Sequence, residues 1–333
     1  MNISVTLHKI YFLPLFILTF LIGSGKVFSQ ETGTIPLMAP LPIVSTQGLM
    51  GNILILVDKA EHIARIYNPL TQKIEKEIKI ATGKKRGNKI FSGDFRTPEG
   101  IYFIESYIGH QELLKKFGEE GKIYGNGAYT LNFPNSFDKL ANKSGSGIWL
   151  HSTNDETRIE KGLDSRGCVV MANQDLLNLE NFIHFENTLV SIQEHQTYIT
   201  SKQATSLESE IKLMLEKWRE SWEKNQYNDY ISHYSENFSH SNYGKISQFK
   251  AHKKNVFQQN FSPSVQMEHL SFVANESMAI VRFKQVYQAK NLNDSGLKTL
   301  YLIRDEYYQW KILSEEWEKW SPERLAKNSF HKN

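Results

Sequence analysis

The sequence predicts an α+β protein in which a β-rich domain precedes a domain of helices followed by antiparallel strands. The chain has 333 residues, 40% of them hydrophobic, which suits two domains of roughly 150 residues each. Alternating apolar and polar residues dominate 51–195, as in half-buried strands. Apolar residues at helical spacing then fill 207–224, and four strand-like runs follow beyond Val265. This order of elements, helices first and then consecutive antiparallel strands, predicts a domain in which helices pack on a curved sheet.

Composition excludes several classes of protein. The net charge of +3, from 39 basic and 36 acidic residues, argues against a nucleic-acid binder held by phosphate contacts. Cys168 is the single cysteine, so an internal disulfide and a cysteine-rich zinc site are excluded. No His-Glu-x-x-His motif occurs, and we predict neither a metal site nor a cofactor.

The first 29 residues have the features of a secretory signal peptide. Lys9 precedes an apolar run over 10–22, which is short for a membrane span and contains Pro14. Val27-Phe28-Ser29 has small or compact residues at the positions that a signal peptidase reads, which predicts cleavage after Ser29. We therefore expect an exported, periplasmic protein with no stable membrane span after cleavage.

The predicted elements follow in order along the first domain. Residues 30–50 contain three prolines and predict an extended lead-in arm, which is also a candidate contact for a homodimer. The domain at 51–195 is predicted to be β-rich with few helices, among them a helix at 174–183, where Leu176, Leu179 and Ile183 share a face. Its strands are predicted at 52–58, 64–67, 76–80, 101–105, 147–151, 168–171 and 188–193.

The second domain is predicted to begin with its longest helix. Polar residues at 196–206 indicate a linker, and 207–320 form the domain, with a tail at 321–333. The helix at 207–224 is indicated by apolar residues at helical spacing, and a second helix follows near Tyr230. Four aromatic residues of the strands are candidates for a pocket lining, although core packing is the commoner role: Tyr287, Tyr301, Trp310 and Trp317.

A histidine and the lone cysteine stand at the ends of two predicted strands. His151 ends the run 147–151, and Cys168 opens the run 168–171. A histidine within reach of a thiol takes its proton and later delivers that proton to a leaving amine. Gly167 allows a sharp turn before the cysteine, and the backbone N–H groups near Gly167 and Cys168 are candidate donors to an oxyanion. By spacing alone, a buried and inert cysteine remains the alternative.

The motif around this pair resembles that of the YkuD-type L,D-transpeptidase domain. His151 and Cys168 with the stretch Ser165-Arg166-Gly167-Cys168-Val169 match its catalytic pattern, and 97–102 resemble its Thr-Pro-x-Gly turn. The resemblance covers about 51–193. It implies acyl transfer on peptidoglycan stem peptides, with Cys168 as nucleophile, His151 as general base and then acid, and the Ser152 backbone carbonyl orienting the histidine.

The resemblance also implies substrate-binding residues and shows two departures. Arg166, Trp149 and Thr97 are the candidates for substrate binding, and a guanidinium suits a carboxylate. The family usually has Gly after the histidine, where this chain has Ser152, and Arg two residues after the cysteine, where it has Val170. Arg166 is a candidate to compensate for the missing arginine.

The second domain resembles the cone-shaped nuclear-transport-factor-like (NTF2-like) fold. A chain that combines these two domains resembles the cell-shape-determining L,D-carboxypeptidases of curved and helical Gram-negative bacteria. Those enzymes trim tetrapeptide stems to tripeptides. In that group the cone is regarded as a binding or positioning module. Two alternatives stay open: a transpeptidase that forms 3-3 cross-links or exchanges D-amino acids, and a non-catalytic wall-binding protein.

Overall fold

The computed structural model describes residues 38–40, 43–45, 53–184, 187–259, 262–290 and 292–319. The predicted signal peptide and tail lie outside these residues, as does most of the predicted arm. Two short strands of the arm are described, β1 (Met38–Pro40) and β2 (Ile43–Ser45).

The first domain is built mainly of strands. Burial along the strands follows the sequence pattern. β3 is apolar up to its last residue, Asp58, and is buried throughout, whereas more and less buried residues largely alternate along β4. The strands are β3 (Leu54–Asp58), β4 (Ile63–Asn68), β5 (Lys73–Gly83), β6 (Gly100–Gly109), β7 (Gly127–Leu131), β8 (Trp149–His151), β9 (Leu163–Ser165), β10 (Val169–Met171) and β11 (Leu189–Gln193).

Within the described residues these strands form one nine-stranded sheet in the order β10-β8-β7-β6-β11-β3-β4-β5-β9. An additional antiparallel pairing of β10 with β5 closes the sheet on itself. The enclosed core contains the apolar side chains of β3, β4, β8 and β10. β10 thus lies between β8, with which it pairs in parallel, and β5. β8 ends in the predicted histidine, and β10 follows directly after the predicted cysteine.

The helices of the first domain differ from the prediction. The helix expected at 174–183 is shorter, and the sequence analysis missed a helical segment that lies between β6 and β7. The missed segment has little apolar periodicity, since Leu113 is the buried residue of its first helix. The helices are α1 (His110–Phe117), the 3₁₀ helix η1 (Gly118–Tyr124), α2 (Ser136–Leu140), α3 (Thr157–Glu160) and α4 (Asn173–Leu179).

The second domain packs helices on one face of an antiparallel meander, as predicted, and adds one helix that the sequence analysis missed. That helix, α7, buries only Phe249 and Phe257. The helices are α5 (Ser201–Glu223), α6 (Tyr227–Ser232) and α7 (Ile246–Gln258), and the long strands are β15 (Ser264–Ala274), β16 (Met278–Ala289), β17 (Leu292–Arg304) and β18 (Trp310–Lys319). A small hairpin is formed by β13 (Ser239–His240) and β14 (Gly244–Lys245).

The segment predicted as a linker is folded instead. β12 (Tyr198–Thr200) leads directly into α5, whose first turn is closed by a capping box between Thr200 and Gln203. The capping residues are polar, which explains why composition alone suggested a linker. Residues 198–206 therefore belong to β12 and to the start of α5.

The arm joins both domains within the chain. β1 pairs with β12, and β2 adds a fifth strand to the sheet of the second domain by pairing with β15. The described arm residues thus make intramolecular backbone pairings, and nothing in them supports the predicted homodimer contact.

The sheet of the second domain is buried on both faces. Val281 and Phe283 pack toward the helices, whereas Ile280, on the opposite face of β16, packs against the first domain. Tyr301 makes an edge contact with Phe137 of the first domain, with ring centroids 5.4 Å apart. Tyr301 and Trp310 are core residues, as favoured from the sequence, whereas Tyr287 is half-buried and Trp317 is partly exposed.

Candidate active site

His151 is held in one orientation by the backbone that follows it. The residue ends β8 and is 3% exposed. Its Nδ1 lies 2.5 Å from the carbonyl oxygen of Ser152. A carbonyl only accepts, so Nδ1 carries the proton in this hydrogen bond and Nε2 is left as the basic nitrogen. The edge of the Tyr124 ring packs on the imidazole at a centroid distance of 4.9 Å.

Cys168 lies directly before β10, beside the strand that ends in His151. β8 and β10 are parallel, with Val169 opposite Leu150 and Val170 opposite His151. The cysteine is half-buried, and its Sγ lies 3.4 Å from the carbonyl oxygen of Gly147. Cys168 and His151 both line one cleft of about 620 Å³.

The turn before the cysteine requires glycine. Gly167 has a φ of +128°, and a Cβ there would come within 2.8 Å of the Arg96 carbonyl oxygen. The Ser165 hydroxyl accepts from the Gly167 N–H at 3.0 Å and donates to the Cys168 carbonyl at 2.6 Å. The Gly167 N–H is therefore already used and does not serve as the predicted oxyanion donor. Gly167 instead sets the conformation of the turn.

Burial favours the neutral form of both predicted catalytic groups. Desolvation raises the pKa of the Cys168 thiol to about 11, and the Trp149 backbone and the Arg158 charge offset only part of this effect. Desolvation lowers the pKa of His151 to about 4, and the positive charge of Arg158 lowers it further, while the Ser152 carbonyl opposes the shift. Both shifts favour an uncharged thiol and an uncharged imidazole at neutral pH.

These shifts predict the pH dependence of alkylation at Cys168. With a pKa of about 11, about one thiol in 10⁴ is ionised at pH 7, since ionisation changes tenfold per pH unit. We expect the iodoacetamide rate to rise about tenfold per pH unit from neutral pH until it levels off near the thiol pKa. In the urea-unfolded protein the alkylation rate should level off near pH ~8.5, which is the pKa of a free thiol. Fast, pH-independent alkylation between pH 5 and 8 would instead indicate a thiolate–imidazolium pair.

The cleft walls combine aromatic and charged side chains. The residues lining the cleft are Lys84, Phe117, Glu119, Glu120, Ile123, Tyr124, His151, Asn154, Asp155, Arg158, Lys161, Asp164, Ser165, Arg166 and Cys168. Sequence analysis missed the contribution of η1, which supplies Glu119, Glu120, Ile123 and Tyr124. It also missed Arg158, because a charged residue in a short helix is ordinarily solvent-exposed.

The predicted substrate-binding residues occupy three different environments. Arg166 is exposed and lines the cleft. Trp149 is half-buried behind the wall and packs against Tyr124 and Phe117, at centroid distances of 5.1 and 6.1 Å. Thr97 is 1% exposed and absent from the cleft lining, and its hydroxyl accepts from the Gly83 N–H at 2.9 Å. Burial therefore favours a structural role for Thr97 over the predicted substrate contact.

The structure gives a physical reason for the serine after the histidine. The Ser152 hydroxyl accepts from the Asn126 N–H at 2.7 Å and donates to the Tyr124 carbonyl at 3.2 Å. The side chain thereby fixes the end of η1 against β8. Val170, at the other departure, is fully buried in β10 and contributes no polar group to the cleft.

Two further observations bear on cofactors and membranes. Across the described residues, no group of three or more His, Cys, Asp or Glu side chains is placed to hold a metal ion. None of the helices in this part of the chain is long and apolar enough to cross a membrane.

Comparisons with known proteins support both domains. Residues 52–192 match the YkuD family, described as an L,D-transpeptidase catalytic domain, and 210–316 match the Cds6 C-terminal NTF2-like domain. No curated protein sequence matches the chain significantly.

Two solved proteins are similar over most of the chain. Bd1075 of Bdellovibrio bacteriovorus is 28% identical, with a TM-score of 0.70, over 85% of this chain and 99% of its own. The helical cell shape determining protein Pgp2 of Campylobacter jejuni is 26% identical, with a TM-score of 0.64, over 82% of this chain and 95% of its own. A point mutant of Pgp2 gives a TM-score of 0.66 at 27% identity, over 84% of this chain and 94% of its own. This chain carries a YkuD-type L,D-transpeptidase catalytic domain followed by a C-terminal NTF2-like domain.

Proposed function

We propose that the protein is a periplasmic L,D-carboxypeptidase that trims peptidoglycan tetrapeptide stems to tripeptides. The observation that carries the proposal is that Cys168 and His151, at the ends of adjacent parallel strands, line one cleft. The expected signal peptide at 1–29 supports export. The likeness to Pgp2, which is described as determining helical cell shape, supports a role in cell shape.

The reaction follows from the orientation of His151. Nε2 takes the Cys168 thiol proton as Sγ attacks the carbonyl carbon of the third stem residue. Because the Gly167 N–H is engaged by Ser165, the Cys168 N–H is the better candidate to bind the oxyanion. His151 returns the proton to the nitrogen of the departing D-alanine, and a thioester remains. Water, deprotonated by His151, attacks the thioester and releases the tripeptide and the Cys168 thiol.

Digestion of sacculi tests the proposal. Wild-type protein is expected to convert tetrapeptide stems to tripeptides and to release one D-alanine per stem, as measured by muropeptide chromatography. New 3-3 cross-links or exchanged D-amino acids would instead identify the transpeptidase. A wild-type protein that leaves sacculi as unchanged as Cys168→Ala does would identify the non-catalytic wall-binding protein.

A further inference from the structure

Arg158 is the buried cation of the active-site cleft. The residue is 9% exposed although it lies on the short helix α3. Its Nη1 donates to the Ile123 carbonyl at 3.2 Å and to the Thr153 hydroxyl at 3.1 Å. Its Nε donates to the Asp164 carboxylate. The guanidinium is thereby attached to η1, to the loop after His151 and to the strand before the Ser-Arg-Gly-Cys turn.

One edge of this guanidinium has no protein partner in the described part of the chain. Nε and Nη1 make the three hydrogen bonds above, and Nη2 makes none with these residues. Asp164 is shared with Lys161, whose Nζ lies 3.7 Å from Oδ1, and Asp155 of the same cleft also interacts electrostatically with Arg158. A largely buried cation with a free pair of N–H donors favours an anionic ligand.

Arg158 is better prepared for a carboxylate than the other cations of the cleft. Lys84, Lys161 and Arg166 are all exposed, so each loses side-chain entropy when it binds. The three hydrogen bonds of Arg158 already fix its rotamer, and a fixed fork binds a planar carboxylate without that loss. Arg158 also acts electrostatically on both Cys168 and His151, as expected of a charge close to the reacting groups.

We propose that Arg158 binds the terminal carboxylate of the residue that leaves, and so restricts the enzyme to the free C-terminus of its substrate. The inference rests on the proposed function. In a stem tetrapeptide this carboxylate is two bonds from the scissile nitrogen, so a group that binds it must lie beside Cys168. Arg158 lies in the same cleft, and it supplies the cation that Val170 does not.

Binding to a protein that cannot turn over tests this assignment. In full-length Cys168→Ala protein, calorimetry compares a stem tetrapeptide with the same peptide ending in a C-terminal amide. We expect the acid to bind about 10- to 100-fold more tightly, the range for a charge-assisted hydrogen-bonded pair. Adding Arg158→Gln should bring the ratio of the affinities for acid and amide close to one. Adding Arg86→Gln instead, at an exposed arginine outside the cleft lining, should leave the ratio of the two affinities unchanged.

Several outcomes would overturn the assignment. The first is equal affinity of the Cys168→Ala protein for acid and amide. The second is a preference for the acid that persists in Arg158→Gln. The third is a preference for the acid that Arg166→Gln abolishes and Arg158→Gln does not. If Arg158→Gln fails to fold, Arg158→Lys keeps the charge without the fork and should lower the ratio while thermal unfolding stays cooperative. Turnover by the wild-type protein is measured separately. Tripeptide formation without a preference for the acid would support the carboxypeptidase and contradict the role of Arg158. A preference for the acid without tripeptide formation would support the role of Arg158 and contradict the carboxypeptidase.

Discussion

Replacing Cys168 by alanine is expected to lower D-alanine release from sacculi by ~10⁴-fold or more, because the chain has no second cysteine to form the thioester. The fold should survive, since the cysteine is half-buried and its side chain is small. We expect the free energy of unfolding to change by less than ~1.5 kcal/mol, a typical value for a small truncation. Muropeptide analysis and urea unfolding of the same preparation measure the two effects.

Matched variants distinguish nucleophilic catalysis from binding. His151→Gln removes the base and should cost ~10³-fold or more in turnover, whereas combining it with Cys168→Ala should cost little beyond the cysteine variant, as for residues that act as a unit. Arg86→Gln, at an exposed arginine outside the cleft lining, serves as the control and should leave turnover unchanged. Cys168→Ala protein that still released D-alanine at more than a few per cent of the wild-type rate would rule out the thioester mechanism.

Placing a charge at Ile280 is expected to unfold both domains together. Ile280 is fully buried on the face of β16 that packs on the first domain, in a cluster with Leu54, Leu56 and Phe103. Arg282, on the same face, stacks over the Phe103 ring at 4.2 Å. Ile280→Asp would bury a carboxylate in this apolar cluster at the cost of its hydration, and we expect a loss of ~4 kcal/mol or more in the free energy of unfolding.

Urea unfolding monitored by tryptophan fluorescence and by far-ultraviolet circular dichroism checks this expectation. Tyr308→Asp, in an exposed turn of the same domain, is the matched control and should shift the free energy of unfolding by less than ~0.5 kcal/mol. For the same reason, a protein truncated before α5 should aggregate, because the apolar face of the first domain would be uncovered. Two separate transitions, with Ile280→Asp moving only one, would show that the domains fold independently.

The domain types were predictable because their signals are local. Strand alternation, the helical spacing of α5 and the motif around Cys168 each lie within a short stretch of sequence. The fifth strand of the second domain, β2, was not predictable, since it comes from before the first domain and its partner β15 lies beyond that whole domain in the chain. Helices α1 and α7 were missed because each buries only one or two apolar residues.

The amino-acid sequence by itself determined the candidate nucleophile, the candidate base and the α+β class, because each depends on residue identity and short-range spacing. The tertiary structure decided that the Gly167 N–H is already bonded to Ser165, that Thr97 is buried, and that the Arg158 guanidinium lies in the cleft. It also decided that the sheet of the second domain covers the first. Periodicity shows that a side chain is buried but not which surface buries it, and a charged residue enters a cleft only when distant segments of the chain supply its hydrogen-bond partners.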